Sequence, residues 1–214
     1  MDRETALADN VPCLYIERIE MRKKSHISLA RYLVRSLNDE ELNKHKFSFY
    51  LGCVLPDIKP SFFYKRHEIE KTFPLVQKRI GKMYERGERG KKRDFRFFVN
   101  LGQISHYLAD YFTFPHNKIY DGGFRGHCSY EEKLKKDLRS YLREKGSKEN
   151  GVKGQQFKSV RALCNYIAGA HQAYIGRKHD VEDDIRHIVE VNHRALGGMM
   201  RLFGNQTGPK KKRN

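Results

Sequence analysis

Apolar positions recur every three or four residues along most of the chain, which is the spacing of one face of an α-helix. Helices are predicted over 26–37, 40–54, 67–87, 93–112, 127–145, 157–176 and 180–203. No stretch alternates apolar and polar residues convincingly, so no strand is predicted. The expected fold class is therefore all-α, a multi-helix bundle in a single domain.

Capping residues and prolines set the predicted helix boundaries. Ser25 is placed to cap a helix that begins at His26, which puts His26 in the first helical turn. Pro56 and a second proline four residues later interrupt the helical pattern and predict a loop over 55–66. Asp57 is therefore expected on a loop at the end of a helix.

Length and composition indicate one globular unit. The chain has 214 residues, 38% hydrophobic and 32% charged, which is enough for a substantial core. The domain is predicted over 13–205, between a flexible N-terminal segment (1–12) and a basic disordered tail (206–214). No apolar run reaches the roughly 18 residues of a membrane span. The start of the chain shows no secretory signal pattern, so a cytoplasmic location is expected.

The formal net charge of +17 favours polyanionic partners. Much of the excess lies in 85–93 and 133–148, and more lies in the basic tail. Anionic lipid headgroups, nucleic acid and phosphorylated substrates all fit this charge. A solvated basic surface is the simpler interpretation of any one patch, so charge indicates a class of partner and no activity.

Two histidines are each followed four residues later by a carboxylate, on one face of a helix. They are His106 with Asp110 and His127 with Glu131. Residues 101–112 are otherwise largely apolar, so His106 and Asp110 are expected to point into the protein. Buried ionisable groups need a partner, which is either each other in a hydrogen-bonded pair or a metal ion.

The spacing of these pairs is weak support by itself. Chance predicts about one such pair for this composition, and the chain has three. The third, His179 with Asp183, lies in a polar stretch and is predicted to be a solvated face. The first two pairs are better supported because the same part of the sequence contains further candidate ligands: His26, Asp57, His67 and His116. Five histidines and three carboxylates match the ligand types of a zinc cluster.

Four segments resemble, in order, the bacterial zinc-dependent phospholipase C family, which is related to the single-strand-specific zinc nucleases. They are 50–62, 67–68, 105–117 and 127–131, and the resemblance runs over about 25–135. It implies an all-α fold with a multinuclear zinc cleft between helices.

The resemblance also implies a division of the ligands among zinc ions. One zinc would be held by Asp57, His67, His106 and Asp110. A second would be held by His116, His127 and Glu131. His26 would serve a third zinc, with Asp110 bridging.

One departure from the family pattern concerns this third site. In secreted members the third zinc is completed by an N-terminal tryptophan, and this chain has no tryptophan. Cys13 falls near that position, although a ligand role for it is not favoured, and Glu17 and Glu20 are other candidates. Two zinc ions are expected, and the third site stays open.

The implied activity is hydrolysis of a phosphodiester, with a phospholipid headgroup as the preferred substrate. A metal-bound hydroxide would attack phosphorus, and Asp57 would act as both ligand and catalytic base. Phe62, Phe63 and Tyr64 would line the mouth of the cleft and bind substrate, although ordinary packing is equally compatible with them. Ile58 stands where choline-preferring members have an aromatic residue, which indicates an altered headgroup preference.

Two other functions fit the same residues. A zinc-dependent nuclease acting on single-stranded nucleic acid would use the same metals, the basic surface and the aromatic residues for base stacking. A non-catalytic protein that binds metal or lipid would keep the helical scaffold, with or without the metal, and would not hydrolyse a phosphodiester. The expected partners are a phospholipid or another phosphodiester, with an anionic membrane surface or nucleic acid against the basic surface.

Overall fold

The computed structural model describes residues 11–58, 68–146, 155–177 and 179–204, with side chains from residue 23 onward. Within this part of the chain there are α-helices, one 3-10 turn (Phe114–His116) and no strand, so the all-α prediction is confirmed. The helices are α1 (Val11–Leu37), α2 (Glu40–Lys44), α3 (Lys46–Ile58), α4 (Ile69–Glu88), α5 (Phe95–Tyr111), α6 (Phe124–Gly146), α7 (Val160–Ile175) and α8 (Val181–Gly204). In the described ranges we find no helix that combines the length and the apolar character needed to cross a bilayer.

Two predicted helix boundaries near the site are wrong. The first helix begins at Val11 and not at His26, because Pro12 is tolerated in a first turn and no helix-breaking residue follows it. Asp57 lies in the last turn of α3 and not on a loop. Pro56 costs α3 one hydrogen bond, but its buried side chain adds to the packing that keeps this turn helical.

The centre of the fold is the contact between α3 and α5, which run side by side in the same direction. Gly52 and Gly102 allow the two backbones to approach closely. A Cβ atom at Gly52 would overlap the Val99 carbonyl oxygen and lie 2.9 Å from the Gly102 Cα, and one at Gly102 would overlap the Phe49 carbonyl oxygen. No larger side chain fits between these backbones.

Two contacts show the register of α3 against α5. The His45 ring, just before α3, stacks on Phe98 with the centroids 4.7 Å apart. Two turns further along, the His106 Nδ1–H donates to the Cys53 carbonyl oxygen at 2.9 Å. Both contacts join residues 53 positions apart. The register therefore places the end of α3, with Asp57, beside the second half of α5.

The predicted solvated face at His179 is wrong. The His179 ring lies parallel to Phe114 with centroids 4.6 Å apart, and both of its ring nitrogens are buried. Its predicted partner Asp183 instead accepts a hydrogen bond from Arg186 at 2.8 Å. The 3-10 turn packs over the start of α8 and covers this histidine, which the local sequence pattern does not reveal.

The two predicted terminal segments lie almost wholly outside the described residues. Val11 and Pro12, which end the predicted flexible segment, belong to α1. The predicted tail (206–214) lies entirely beyond the last described residue.

Candidate metal centre

Among the described residues, seven of the eight predicted ligand side chains form one continuous set of contacts, which we call the histidine–carboxylate cluster. Its members come from α1, α3, α5, the 3-10 turn and α6: His26, Asp57, His106, Asp110, His116, His127 and Glu131. The eighth predicted ligand, His67, lies outside the described residues. So do the predicted substrate-binding residues Phe62, Phe63 and Tyr64.

One end of the cluster is a buried group formed by His26, His106 and Asp110. The Asp110 carboxylate lies 3.4 Å from His26 Nε2 and 3.2 Å from His106 Nε2. The two imidazole rings stack with centroids 4.0 Å apart. The family resemblance assigns His26 to a third zinc bridged by Asp110, and the structure places His26 beside both Asp110 and His106.

The orientation of His106 suits a metal ligand. Its Nδ1–H donates to the Cys53 carbonyl oxygen, so Nε2 is the nitrogen left for a metal ion, and it faces the two carboxylates. A backbone carbonyl that accepts from the non-coordinating nitrogen is the usual second contact of a metal-binding histidine. The α3–α5 register therefore sets the direction of this imidazole.

Asp57 gives the most direct test of whether a cation fits. Its Oδ1 lies 3.6 Å from His106 Nε2. Both of its oxygens are buried, and neither has a hydrogen-bond donor among the described residues. A carboxylate removed from water needs a compensating positive charge or donors. In the metal-free protein the protonated His106 ring offers that charge, and a metal ion bound at His106 would take its place.

The other end of the cluster is formed by His116, His127 and Glu131. Glu131 Oε1 lies 2.8 Å from His127 Nε2 and 3.1 Å from His116 Nε2. These three residues are grouped as the sequence predicted for one zinc. The carboxylate lies at the centre of the group, with an imidazole on either side.

Asp110 joins the two ends of the cluster. Its Oδ1 lies 3.5 Å from His116 Nδ1, in addition to its contacts with His26 and His106. Ligand atoms about 2.1 Å from a tetrahedral zinc are about 3.4 Å from one another, so the spacings around Asp110 fit such a site.

Charge interactions in the cluster favour ionised groups at Asp110 and His106. Burial alone would lower the pKa of His106, but the charges of Asp57 and Asp110 outweigh burial and raise it to about 9. Burial opposes ionisation of Asp110, yet His106 and His116 hold its pKa well below the usual range. Burial and the neighbouring His106 lower the pKa of His26. A metal ion would displace the His106 proton, because only neutral imidazole is a ligand.

A second buried carboxylate, Asp184 of α8, holds the segments that carry His116 and Glu131. Asp184 accepts hydrogen bonds from the Phe114 backbone N–H at 2.7 Å, the Tyr130 hydroxyl at 2.7 Å and the Tyr174 hydroxyl at 2.6 Å. We call these four residues the Asp184 network. It ties the 3-10 turn, α6, α7 and α8 together.

Burial raises the pKa of Asp184 to about 6, and the three hydrogen bonds partly oppose that rise. Sequence analysis missed this residue because 177–184 was taken as one polar stretch. Helical periodicity could have identified Asp184 as buried, because it lies on the same apolar side of α8 as Val181, Ile185 and Ile188.

The family described as zinc dependent phospholipase C matches residues 25–181. This match extends beyond the stretch of 25–135 that carries the sequence motifs. The match covers α1 from Ser25 to the first residue of α8. Neither a curated protein nor a solved structure matches the chain. Since the matched region is well over half of the chain and contains every member of the histidine–carboxylate cluster, this protein belongs to the zinc-dependent phospholipase C family.

Proposed function

We propose that the protein is a zinc-dependent phosphodiester hydrolase that removes the headgroup of a phospholipid in the manner of a phospholipase C. The observation that carries this proposal is the convergence of the histidine–carboxylate cluster from four helices and the 3-10 turn. Family membership supports zinc and phosphodiester chemistry. The preference for a phospholipid is the finer part of the proposal.

We assign the metal ligands according to the two ends of the cluster. His26, Asp57, His106 and Asp110 would hold zinc at one end, and His116, His127 and Glu131 at the other, with Asp110 between them. His67 remains a proposed ligand at the first end. Zinc bound there would neutralise phosphoryl oxygens, activate water and stabilise the leaving alkoxide.

Asp57 is the residue that we assign to proton transfer. Its buried oxygens have no hydrogen-bond donor among the described residues, so their lone pairs are available to a water molecule at the cluster. Asp57 would orient that water for attack on phosphorus and accept its proton. Because His106 lies 3.6 Å away, the same carboxylate also sets the charge of its neighbour.

A zinc nuclease acting on single-stranded nucleic acid is the second candidate. The observation in its favour is a basic side of α6, the helix that carries His127 and Glu131. The cations on this side are Lys133, Lys135, Lys136, Arg139 and Arg143. A polyanionic strand would contact such a surface at several phosphates.

The test combines metal analysis with parallel hydrolysis assays. Protein purified without chelator is expected to contain about two zinc ions per chain. It is expected to cleave dihexanoylphosphatidylcholine faster than single-stranded DNA. Zinc content below one per chain would refute the metal assignment. A fully metallated protein that cleaves only DNA would establish the second candidate, and one that cleaves neither would indicate a binding protein.

Histidine variants test the ligand assignment. His106→Gln and His127→Gln are each expected to lower zinc content and to reduce hydrolysis at least about 100-fold. His45→Gln is the matched control, because His45 stacks on Phe98 at the far end of the α3–α5 contact. Loss of zinc in the control as well would mean that histidine replacement acts through folding.

A further inference from the structure

The solvent-facing side of α3 is apolar along its whole length. Phe47, Leu51 and Ile58 are 74%, 40% and 53% exposed, and Val54 and Leu55 between them are partly exposed. We call these five residues the α3 outer face. The three most exposed side chains alone present on the order of 300 Å² of apolar surface, which is within the range of the largest apolar patch on a typical soluble protein, and such patches are often functional.

This face is unusual for so highly charged a chain. Charged residues make up 32% of the sequence, yet none occurs between Phe47 and Pro56. The opposite side of α3 already packs on α5 through Phe49, Gly52 and Cys53. A helix that is apolar all round is normally buried, so the outer face is suited to a second apolar contact.

Cationic side chains border the face. The Lys46 ammonium lies over the Phe47 ring, 5.6 Å from its centroid. Arg31 and Arg35 are exposed on α1, which packs beside α3, and both act electrostatically on Tyr50. Apolar side chains with Lys and Arg at their border are the composition of a surface that enters the interface of an anionic bilayer.

One end of the face is next in sequence to the candidate metal centre. Ile58 directly follows Asp57, so the outer face and the proposed catalytic carboxylate lie in the same last turn of α3. We propose that the α3 outer face is the surface by which this protein docks on a phospholipid bilayer containing anionic lipids. The inference rests on the proposed function, because a phospholipid substrate would be drawn from the bilayer on which the protein docks.

Other occupants fit the surface less well. A nucleic acid strand would need cations or stacking side chains along the contact, and the middle of this face offers only aliphatic groups. A second copy of the chain would set the cations of two strongly positive molecules against each other, since the net charge is +17. An anionic bilayer satisfies both the apolar centre and the cationic border.

The test is co-sedimentation of the zinc-loaded full-length protein with vesicles of phosphatidylcholine and phosphatidylglycerol at 4 °C. The double variant Phe47→Ser/Leu51→Ser is expected to lower the vesicle partition coefficient at least about tenfold. The matched control is Leu75→Ser/Phe95→Ser, which replaces the same residue types at exposed positions outside α3 and is expected to bind like the unaltered protein. Vesicles of phosphatidylcholine alone are expected to bind more weakly.

The same proteins are assayed on monomeric dihexanoylphosphatidylcholine, which requires no bilayer. Unchanged hydrolysis by Phe47→Ser/Leu51→Ser, with vesicle binding lost, supports the docking surface. Equal vesicle binding by this variant and its control overturns it, even when hydrolysis is intact. A dimer that this variant dissociates also overturns it. Absence of hydrolysis by every protein refutes the proposed function instead, whatever the vesicles show.

Discussion

Replacement of Gly52 by alanine tests whether the close approach of α3 and α5 builds the metal centre. The added Cβ would overlap the Val99 carbonyl oxygen and lie 2.9 Å from the Gly102 Cα. Both contacts are with backbone, so no side-chain rotation relieves them. The helices must move apart, and this shifts the Cys53 carbonyl oxygen relative to His106.

The expected magnitude follows from two opposed effects. Alanine in a helix interior is about 1 kcal/mol more favourable than glycine. Overpacking against backbone costs about 1–3 kcal/mol or more. Gly81 of α4 is the matched control, because a Cβ there meets no atom within 4 Å. Gly81→Ala is expected to stabilise the protein by about 1 kcal/mol. The same gain applies to Gly52→Ala, so the free energy of unfolding of Gly52→Ala is expected to lie about 1–3 kcal/mol or more below that of Gly81→Ala.

Urea denaturation of the metal-free proteins measures this difference, and zinc titration of the folded proteins measures its effect on the site. Gly52→Ala is expected to bind zinc at least about tenfold more weakly, because loss of the hydrogen bond that orients a metal-binding histidine typically costs this much affinity. Gly81→Ala is expected to bind zinc normally. If Gly52→Ala matched the control in both stability and zinc affinity, the close approach would have no role in forming the site.

Three further predictions concern pH and metal. Because burial raises the pKa of Asp184 to about 6 from the 3.8 of a free side chain, its stability contribution is full below about pH 4 and is lost as pH rises through 6. Relative to Asp184→Asn, the free energy of unfolding should therefore fall by up to about 3 kcal/mol between pH 4 and 7. Urea denaturation measures this difference, and a rise over the same range would mean that the hydrogen bonds outweigh burial. Chelation of zinc should lower Tm by about 10 °C, which calorimetry measures, and an unchanged Tm would exclude stabilising metal. His106 is protonated at pH 7 because its pKa is raised to about 9, so zinc binding should release that proton. Calorimetry of zinc binding in buffers of different ionisation enthalpy measures the number of protons released.

The sequence predicted the parts of the site that depend on helical spacing. His106 and Asp110 lie one turn apart on a largely apolar helix, and the structure shows both buried and in contact. His127 and Glu131 repeat the spacing on α6. Periodicity within one helix is a local property, so the sequence alone carries it.

The remaining features depend on contacts between helices. The placement of His26 beside His106 follows from how α1 packs, and no local pattern encodes it. Asp57 was expected on a loop because proline is a helix breaker in isolation, whereas tertiary packing keeps the turn helical here. Asp184 was missed because its three donors come from three other segments of the chain.

The Asp184 network has a consequence for the order in which the protein becomes functional during synthesis. The ribosome makes α1, α3 and α5 first, so His26, Asp57 and Asp110 can meet while the rest of the chain is still growing. Phe114 and Tyr130 acquire their shared acceptor only after α8 has been made. The two ends of the histidine–carboxylate cluster are therefore fixed in place at different times, and the end formed by His116, His127 and Glu131 waits for α8.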